Sequence, residues 1–298
     1  MATPQILVLL HQKDYSFASI GYLIKPLMRE WEAMGFTVQV VQGVRHQARA
    51  DVVIPHVNLT VTPKEYRDFF LAYPNVFNRH VVDISKSRVS TNLVKRNDGC
   101  IGPVIVKTER NYGGLPEQRL CSQSRLGQWK WAGVVRRLLP TLRRRDTGGI
   151  AWRSVQYLPP TDYPVFPSVG EVPEGVFANR NLVVEKFFPE IAEGDYCLRY
   201  YYFCGSAGVN LLFRSKEKVV KARTTLKVEE APIPEGLYDI RKKLGFDYGK
   251  FDYVLRDGKV VLFDVNRTPA TGALQHWGLT ETVARQLAGG IKSQLAPR

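Results

Sequence analysis

Cysteine is scarce in this sequence, with four among 298 residues. Cys100, Cys121, Cys197 and Cys204 form no C-x-x-C pair, and no histidine stands near them at the spacing of metal ligands. This pattern does not indicate a zinc site or a disulfide framework. We therefore expect buried free thiols in a reducing cytosol.

Long hydrophobic runs are also missing. No apolar stretch approaches the ~18 residues needed to cross a membrane. The segment Ile6–Leu10 is too short for the core of a signal peptide, and it lacks a basic flank and a cleavage pattern. The hydrophobic content of 44% is still enough to bury a sizeable core. We expect a cytoplasmic, soluble enzyme with no membrane partner.

Two common nucleotide fingerprints are absent as well. No G-x-G-x-x-G follows the first apolar segment, so no dinucleotide is expected there. The loop after Val104–Lys107 is not a Walker A sequence. A nucleotide site in this chain must therefore be built from other parts.

The start of the chain has the order of an α/β protein. Gln5–Leu10 is a predicted strand, Ile20–Met34 has helical apolar spacing that stops at Gly35, and Phe36–Val41 is a second strand. This order predicts a right-handed βαβ unit with a parallel sheet. The other predicted elements of the unit are a strand, a helix and a short strand, at Asp51–Val57, Pro63–Ala72 and Val76–Asn78. Residues 1–80 are thus predicted to form a Rossmann-like unit.

Two histidines, His11 and His56, fall near the ends of early strands. Open parallel sheets place their ligand crevice at such ends, so either side chain is a candidate for substrate contact. A hydrogen-bonded structural histidine is the alternative, because buried polar groups usually have structural partners.

The most informative segment is a predicted hairpin near the C-terminal end. Phe251–Leu255 and Val260–Val265 have strand character, and Asp257-Gly258 between them is a pair that favours a tight turn. Strand alternation places Asp264 and Asn266, two positions apart, on one face, and it allows Asp252 to join them.

Two carboxylates and an amide oxygen that converge among apolar neighbours repel one another unless a cation lies between them. Such hard oxygen ligands suit Mg²⁺ or Mn²⁺ that carries substrate phosphates. The hairpin therefore predicts a metal site at Asp252, Asp264 and Asn266. A surface hairpin whose polar residues face water is the plainer alternative.

Other segments carry further parts of a nucleotide site. Val104–Lys107 is a buried-type strand that ends in a lysine, and a polar loop ending in Gly113-Gly114 follows it. Backbone N–H groups of such a loop can approach phosphate oxygens, and the lysine adds a point charge. Leu182–Phe188 is an apolar strand in which Glu185 can accept a hydrogen bond from an adenine amino group.

Taken together, residues 78 to 272 resemble the ATP-grasp superfamily of ligases. The resemblance implies an N-terminal Rossmann-like pre-ATP-grasp domain, followed by a two-subdomain α+β ATP-grasp fold. It implies ATP and Mg²⁺, or Mn²⁺, as cofactors. The implied metal ligands are Asp252, Asp264 and Asn266. The implied nucleotide-binding residues are Lys86, Lys107, Asn111, Tyr112, Gly113, Gly114, Glu185, Lys186, Phe187, Phe188 and Lys221, with Glu193 or Asp195 on the ribose. The implied catalytic residues are Lys107, Arg199, Lys250 and Arg267, the last of which begins a substrate loop that ends at Gly272.

The sequence departs from the common pattern of that family in three places. Asp264 stands where many members have glutamate, which shortens the ligand by one methylene and can alter how two metals are bridged. The phosphate loop has only the pair Gly113-Gly114. Lys250 stands where some ligases use an arginine on the transferred phosphoryl group, a role that Arg199 or Arg214 can also take.

The resemblance implies three units. They are residues 1–80, the Rossmann-like domain; 81–184, the small subdomain with the phosphate loop; and 185–298, with the adenine hinge and the metal site. The last unit contains a predicted core strand, a strand-like run and two helices, at Tyr196–Cys204, Val219–Arg223, Pro234–Leu244 and Thr280–Leu295.

Positive charge is in excess, with a formal net charge of +14. A basic run, Arg136–Arg145, lies within a predicted helical segment, Leu126–Asp146, that Pro140 would kink. This run raises the possibility of nucleic-acid or membrane-surface binding. Because the charge is scattered and no nucleic-acid-binding motif is present, a solvated lid helix is the plainer interpretation.

The resemblance implies an ATP-dependent carboxylate ligase that forms carbon–nitrogen bonds. Such an enzyme activates a carboxylate as an acylphosphate, converts ATP to ADP and joins the acid to an amine or thiol. The partners are then ATP, a small-molecule or peptide carboxylate and an acceptor, with a homodimer possible. The alternatives are a non-catalytic ATP-binding regulatory protein and a nucleic-acid-binding protein.

Overall fold

A computed structural model describes residues 3–121, 150–159 and 163–295. The predicted basic helix, Leu126–Asp146, lies outside these residues. In the described part of the chain, no helix has the length and apolar character needed to span a bilayer.

The N-terminal segment forms a small parallel sheet. Its strands are β1 (Gln5–Leu10), β2 (Thr37–Gln42) and β3 (Val52–His56), in the order β2-β1-β3. Helix α1 (Ile24–Ala33) crosses between β1 and β2, and α2 (Lys64–Phe70) follows β3. The parallel pairing confirms the predicted βαβ order, while Rossmann-like character stays a prediction. Val76–Asn78 is not a strand, since only Val76 pairs, through one isolated bridge to Val53.

The central strand β1 is buried along almost its whole length, which explains its unbroken apolar run. One face of helix α1 buries Ile24, Leu27 and Trp31 in the same core. Trp31 also donates its indole N–H to the Ala288 carbonyl at 3.0 Å. The N-terminal segment and the end of the chain thus share one core.

A second, antiparallel sheet contains the strand that precedes the predicted phosphate loop. It has the order β5-β4-β6, where β4 is Val104–Thr108, β5 is Val165–Phe166 and β6 is Leu182–Lys186. The short helices of this region are α3 (Lys86–Val89), α4 (Leu115–Cys121) and α5 (Glu174–Phe177). The predicted unit boundary between residues 184 and 185 falls inside β6, which pairs with β4 as far as Lys186, and the three units stay a prediction.

The third sheet is antiparallel and carries the hairpin. Its main order is β10-β9-β8-β11-β12, and β7 pairs with β8. The strands are β7 (Glu190–Ala192), β8 (Asp195–Cys204), β9 (Ala207–Ser215), β10 (Thr225–Glu230), β11 (Tyr248–Arg256) and β12 (Lys259–Asn266). The helices that accompany it are α6 (Glu235–Leu244), α7 (Gly272–His276) and α8 (Thr280–Ala288).

Two predictions for this region need correction. Val219–Arg223 is not a strand, because its last residues enter a single 3-10 turn, Ala222–Thr224. The last helix is shorter than predicted, since α8 ends at Ala288 and a 3-10 segment, Gly289–Gln294, follows it. The pair Gly289-Gly290 stands where the α-helix changes to the 3-10 segment, and glycine has the weakest helical preference of all residues except proline.

The cysteines agree with the prediction of free thiols where they are described. Cys197 and Cys204 are buried and Cys100 is half-buried, and each is free. Burial raises the pKa of the Cys204 thiol to about 12, which suits an inert core residue.

Candidate active site

The predicted hairpin is present, with the register that the polar residues need. Asp252 on β11 lies directly opposite Asp264 on β12. The connecting turn places Asp257 and Gly258 at φ of 50° and 73°, the left-handed conformation of a tight hairpin turn. Directly opposite residues share one face of an antiparallel pair, so both carboxylates and Asn266 lie on the same face.

Three lysines meet three carboxylates at this face. Lys250 lies 2.9 Å from Asp252, and Lys86 lies 3.4 Å from Asp264. Lys107 lies 2.6 Å from Glu185, which is fully buried. The six formal charges balance, so the cluster has no surplus charge of its own.

Two sheets contribute to the cluster. Lys107 on β4 and Glu185 on β6 are diagonal neighbours on one face of the three-stranded sheet, because Ile105 pairs with Glu185. The Lys107 ammonium also donates to the Phe263 carbonyl of β12 at 3.4 Å. The phosphate-loop sheet and the hairpin sheet therefore face each other here, and the charged groups lie between them.

Burial and charge shift the pKa values of these groups. Burial raises the pKa of Asp252, and Asp264 raises it further against the opposing effect of Lys250. Burial lowers the pKa of Lys86, but the charges of Asp264, Tyr163 and Glu185 together outweigh burial and raise that pKa above its ordinary value. The pKa of Lys250 is raised in the same way, because Asp252, Tyr200 and Tyr202 together outweigh burial. Lys86 and Lys250 are therefore charged at neutral pH.

The donor set at the hairpin fits a hard divalent cation. Asp252 and Asp264 supply carboxylate oxygens, and the buried Oδ1 of Asp252 has no hydrogen-bond partner among the described residues. The Asn266 side-chain oxygen accepts hydrogen bonds from the Thr268 amide at 2.8 Å and from the Thr268 hydroxyl at 3.4 Å, which fix its direction. In the described ranges no cluster of three His, Cys, Asp or Glu residues forms another metal site.

Two aromatic residues, Tyr200 and Tyr163, complete the cluster, and neither was predicted from the sequence. Tyr200 on β8 pairs with Asp252, and the Lys250 ammonium lies 3.9 Å from the centre of its ring. Tyr163 is close enough to Lys86, Asp264 and Glu185 for their charges to act on its pKa, which burial raises. Tyr200 lies within the apolar strand β8, and this was the sequence signal that could have identified it. No residue near Tyr163 in the sequence indicated its position at the cluster.

Tyr163 connects the cluster to the phosphate loop. The Thr108 hydroxyl donates to the Arg110 carbonyl at 3.3 Å, and it lies 3.2 Å from the Tyr163 hydroxyl. Since a hydroxyl has one proton to donate, Thr108 accepts from Tyr163 in this contact. The start of the loop is thus connected by hydrogen bonds to a group beside Lys86.

The phosphate loop itself, Asn111–Gly114, has a left-handed turn. Tyr112, Gly113 and Gly114 have φ of 46°, 70° and 80°. A side chain at Gly113 would bring a Cβ within 2.7 Å of the Tyr157 ring. Glycine is therefore required here for two reasons: its φ is positive, and the Tyr157 ring leaves no space for a Cβ. The Asn111 amide donates to the Thr60 hydroxyl at 3.0 Å, which docks the loop on the N-terminal segment.

The predicted adenine hinge follows β6. Lys186 is exposed, and its backbone N–H donates to the Asn92 carbonyl at 2.8 Å. The Phe187 N–H donates to the Pro103 carbonyl at 2.9 Å. Arg256 lies over the Phe188 ring, 4.2 Å from its centre. These residues continue the same edge of the three-stranded sheet beyond Glu185.

The two candidates for the ribose, Glu193 and Asp195, stand at the tip of the β7–β8 hairpin. Glu193 is exposed at φ 54° and lies 3.2 Å from Arg214. Asp195 lies 2.5 Å from Lys216. Both acids have basic partners, and no described contact prefers one of them for a sugar hydroxyl.

Arg199 does not reach the carboxylate pair. It pairs with Tyr253 across β8 and β11, whereas Tyr200 pairs with Asp252, so Arg199 lies on the opposite face of the sheet. Its guanidinium donates to both oxygens of Glu190, at 2.7 to 3.1 Å. This is the contact of a structural ion pair, and the catalytic role of Arg199 stays a prediction.

Arg267 is likewise structural. It is 3% exposed, and its terminal nitrogens donate to the Val81, Leu59 and Thr60 carbonyls, at 2.8, 3.0 and 2.6 Å, and to the Thr62 hydroxyl. Burial lowers its pKa to about 10, against the nearby acids. A guanidinium engaged in this way holds neighbouring segments of the chain together, and the catalytic role of Arg267 stays a prediction.

The rest of the predicted substrate loop packs on the N-terminal segment. The Thr271 amide donates to the Gly21 carbonyl at 2.7 Å, and the Leu23 amide donates to the Pro269 carbonyl at 2.9 Å. Lys221 stands at the start of the 3-10 turn that packs against helix α7, next to this loop. It is therefore near the end of the substrate loop rather than within the lysine–carboxylate cluster.

The two early histidines have different surroundings. His11 stacks on Tyr66 and lines a cleft between the segment that follows β1 and helix α4; the other lining residues are Lys13, Asp14, Tyr15, Ser16, Asn58, Pro116, Arg119 and Leu120. His56 is fully buried, and neither ring nitrogen has a hydrogen-bond partner among the described residues. Burial, aided by Lys25, lowers the pKa of His56 to about 3. The structure thus places His11 beside a cleft and His56 within the core.

No protein-family model and no curated protein matches the chain. Several solved structures are similar to it. The ATP-grasp ligase PsnB, in complex with a minimal precursor, Mg and ADP, has 12% identity and a TM-score of 0.49, with 97% of each chain covered. D-alanyl-alanine synthetase A from Vibrio cholerae O1 has 9% identity and a TM-score of 0.48, with 99% of this chain and 98% of that chain covered.

A RimK domain protein ATP-grasp from Sphaerobacter thermophilus has 11% identity and a TM-score of 0.46, with 96% of this chain and 99% of that chain covered. Two of these three structures bear the ATP-grasp name, and all three TM-scores are below 0.5.

Proposed function

We propose that this chain is an ATP-grasp-type ligase, which uses ATP and a divalent cation to activate a carboxylate and join it to an amine or thiol. The observation that carries the proposal is the pairing of Asp252 with Asp264 across the hairpin, beneath three buried or half-buried lysines. Buried or half-buried ionisable groups gathered in this way are more frequent at functional sites than elsewhere in proteins.

Each part of the cluster suits one part of the nucleotide. Lys86 and Lys107 project from the phosphate-loop side and are placed to neutralise phosphate oxygens. The Asn111–Gly114 turn can close over those phosphates and exclude water. Glu185, whose Oε1 has no hydrogen-bond partner among the described residues, can accept from the adenine amino group, whereas the Lys186 and Phe187 N–H groups after it already donate within the chain.

Asp264 and Asn266, with Asp252 beside them, would hold the divalent cation. When bound, this cation supplies Lewis-acid stabilisation of phosphate oxygens. The contribution of the chain's own residues is positioning and charge neutralisation, which dominate phosphoryl transfer. Lys250 is the group nearest the carboxylate pair that can orient an anionic reactant.

The test is thermal unfolding with Mg²⁺ and a non-hydrolysable ATP analogue. Ligand at about 100 times its dissociation constant stabilises a binding-competent fold by ~2.7 kcal/mol, which raises the Tm by several degrees. We expect this rise in the wild type and its loss in Asp264→Asn. The matched control is Asp257→Asn in the same hairpin, whose side chain is 90% exposed at the turn.

A wild type that shows no Mg²⁺-dependent rise contradicts the proposed nucleotide site. A rise that persists in Asp264→Asn contradicts the metal assignment. Where the rise is present, ADP release is then measured with pools of carboxylic acids and amines, and with hydroxylamine as a trap. Hydroxamate formation supports an acylphosphate, whereas binding without any ADP release favours a non-catalytic regulatory protein.

A further inference from the structure

The side-chain oxygen of Asn266 has two hydrogen-bond donors among the described residues, and both belong to Thr268. The Thr268 amide lies 2.8 Å from this oxygen, and the Thr268 hydroxyl lies 3.4 Å from it. A carbonyl oxygen has two lone pairs, so the two bonds together leave none for a cation. Asn266 is therefore open to a metal ion only when one of the two donors turns away.

The two donors differ in their freedom to turn away. Asn266 and Thr268 are two positions apart, and a side-chain oxygen that accepts from the amide two residues on forms an Asx turn. The amide bond is thus fixed by the course of the backbone after β12. The hydroxyl rotates about its own C–O bond and has one proton to donate. The availability of Asn266 depends on where that proton points.

The N-terminal segment supplies a second acceptor for this proton. The Asn58 side-chain oxygen lies 3.0 Å from the Thr268 hydroxyl, across 210 positions of the chain. Hydroxyl donors prefer distances of about 2.5–3.0 Å, so Asn58 is favoured over Asn266 at 3.4 Å. Thr268 is 3% exposed, which keeps bulk water from accepting the proton in place of Asn58.

The direction of the Asn58 amide is also set by its surroundings. Its nitrogen donates to the Tyr22 hydroxyl at 2.8 Å, which directs its oxygen to Thr268. Tyr22 is 2% exposed, and a β-bridge joins it to Ala270, two residues after Thr268. The Asn58 oxygen is thus presented to the Thr268 hydroxyl by groups that are themselves held in place.

On the basis of the proposed function, we propose that Asn58 is a positioning residue of the metal site: it accepts the hydroxyl proton of Thr268 and so keeps one lone pair of Asn266 open to the divalent cation. When Asn58 is replaced by an apolar residue, the buried hydroxyl turns to Asn266 and competes with the cation. Groups that orient a metal ligand in this way typically change metal affinity by about 10- to 100-fold. The N-terminal segment thereby acts on the metal site through a ligand of the hairpin.

The experiment is a double-mutant cycle with Mn²⁺ affinity as its readout. Electron paramagnetic resonance measures the Mn²⁺ dissociation constant with protein in excess over a non-hydrolysable ATP analogue, and the analogue alone is the blank. Asn58→Leu removes the acceptor at similar side-chain size, and Thr268→Val removes the competing hydroxyl at similar shape. The double variant removes both. The lost bond to Tyr22 is common to Asn58→Leu and the double variant, so it does not distinguish them.

We expect the Mn²⁺ dissociation constant to rise about tenfold in Asn58→Leu. It should stay near the wild-type value in Thr268→Val and return close to that value in the double variant, because no hydroxyl is left to compete. A loss caused by damaged packing alone would persist in the double variant. The matched control is Asn97→Leu, the same substitution at an exposed asparagine, which should keep the wild-type value. Thermal unfolding without ligand establishes that each variant is folded.

Wild-type Mn²⁺ affinity in a folded Asn58→Leu would overturn the inference while leaving the proposed ligase intact. A double variant as weak as Asn58→Leu would overturn it too, because the Thr268 hydroxyl would then not be the competitor. If Asn58→Leu does not fold, Asn58→Ala replaces it in the cycle, with the same expected order of affinities. Folded wild-type protein that binds neither Mn²⁺ nor the analogue contradicts the proposed function itself.

Discussion

At the scale of single residues, burial decides what a titratable side chain can do. His56 and Lys250 illustrate two outcomes. Lys250 is half-buried beside Asp252, so its charge is stabilised by a partner. His56 is fully buried among Phe17 and Tyr22, with ring centroids at 5.4 and 4.5 Å, and has no acidic partner in the described residues. A histidine in such surroundings stays neutral.

His56 therefore makes the stability of the fold depend on pH. Its pKa is about 3 in the folded chain, against 6.5 for an ordinary histidine. Between these values the unfolded chain binds the proton more readily, so the free energy of unfolding falls as the pH falls. From pH 6.5 to pH 5 the loss from His56 is about 2 kcal/mol, because each pH unit is worth about 1.4 kcal/mol.

We expect His56→Phe to remove this part of the pH dependence in urea unfolding at pH 6.5 and pH 5. His80→Phe makes the same change at an exposed histidine and is expected to keep the wild-type difference between the two pH values. Equal pH dependence in the wild type and His56→Phe would contradict a neutral buried His56.

At the scale of elements, the conformation of the Asn111–Gly114 loop depends on its backbone as much as on its side chains. Its three left-handed residues, Tyr112, Gly113 and Gly114, lead directly into α4, which begins at Leu115. The Asn111 amide is bonded to Thr60, and the Thr60 amide donates to Glu117 of α4 at 2.6 Å. The loop is therefore held at both ends against the same N-terminal segment.

The two glycines of this loop offer a matched pair of variants. Gly113→Ala and Gly114→Ala both place a side chain at positive φ, which costs about 1 kcal/mol. Only Gly113→Ala also brings its Cβ to 2.7 Å from Tyr157 and 2.8 Å from the Leu158 carbonyl, whereas the nearest atom to a Cβ at Gly114 is 3.4 Å away. This overpacking adds roughly 2 kcal/mol.

Urea unfolding should thus show a loss about three times as large for Gly113→Ala as for Gly114→Ala. The apparent affinity for the ATP analogue should fall in the same order, since the loop faces the proposed phosphates. Equal losses in the two variants would show that the Tyr157 contact does not constrain the loop.

At the scale of the whole molecule, the N-terminal segment and the hairpin sheet are one packed structure. The buried core around β1 and α1 includes residues of β8, β9 and α8, such as Tyr202, Phe213 and Leu287. Arg267, directly after β12, clamps the chain where residues 59–62 run beside residues 81–84. The predicted homodimer and the role of the basic run Arg136–Arg145 both stay predictions at this scale.

The Arg267 clamp gives a test of this connection. Arg267→Lys keeps the charge but loses the fork that reaches several carbonyls, and it leaves buried acceptors unpaired, so we expect a loss of about 3 kcal/mol in urea unfolding. Arg285→Lys on α8 makes the same substitution at a 75% exposed side chain and should change stability by less than about 0.5 kcal/mol. Similar losses in both variants would contradict the clamp.

The sequence by itself determined the local elements of this protein. Gln5–Leu10 was predicted to the residue, and the Asp257-Gly258 hairpin was predicted with its carboxylates on one face. Both follow from short-range rules, because strand alternation and tight-turn chemistry depend on neighbours a few positions apart. Val219–Arg223 was predicted wrongly, since its strand-like residues lack a pairing partner that only the sheet could supply.

The partners of the charged residues were decided only by the tertiary structure. Lys86 meets Asp264 across 178 positions of the chain, and Arg267 reaches the Thr60 carbonyl across 207. Arg199 was predicted to meet either a phosphate or a structural carboxylate, and the register of β8 places it on the side of the sheet where it meets Glu190. A one-residue difference in register exchanges the two faces of a strand, and register depends on packing that no local pattern encodes.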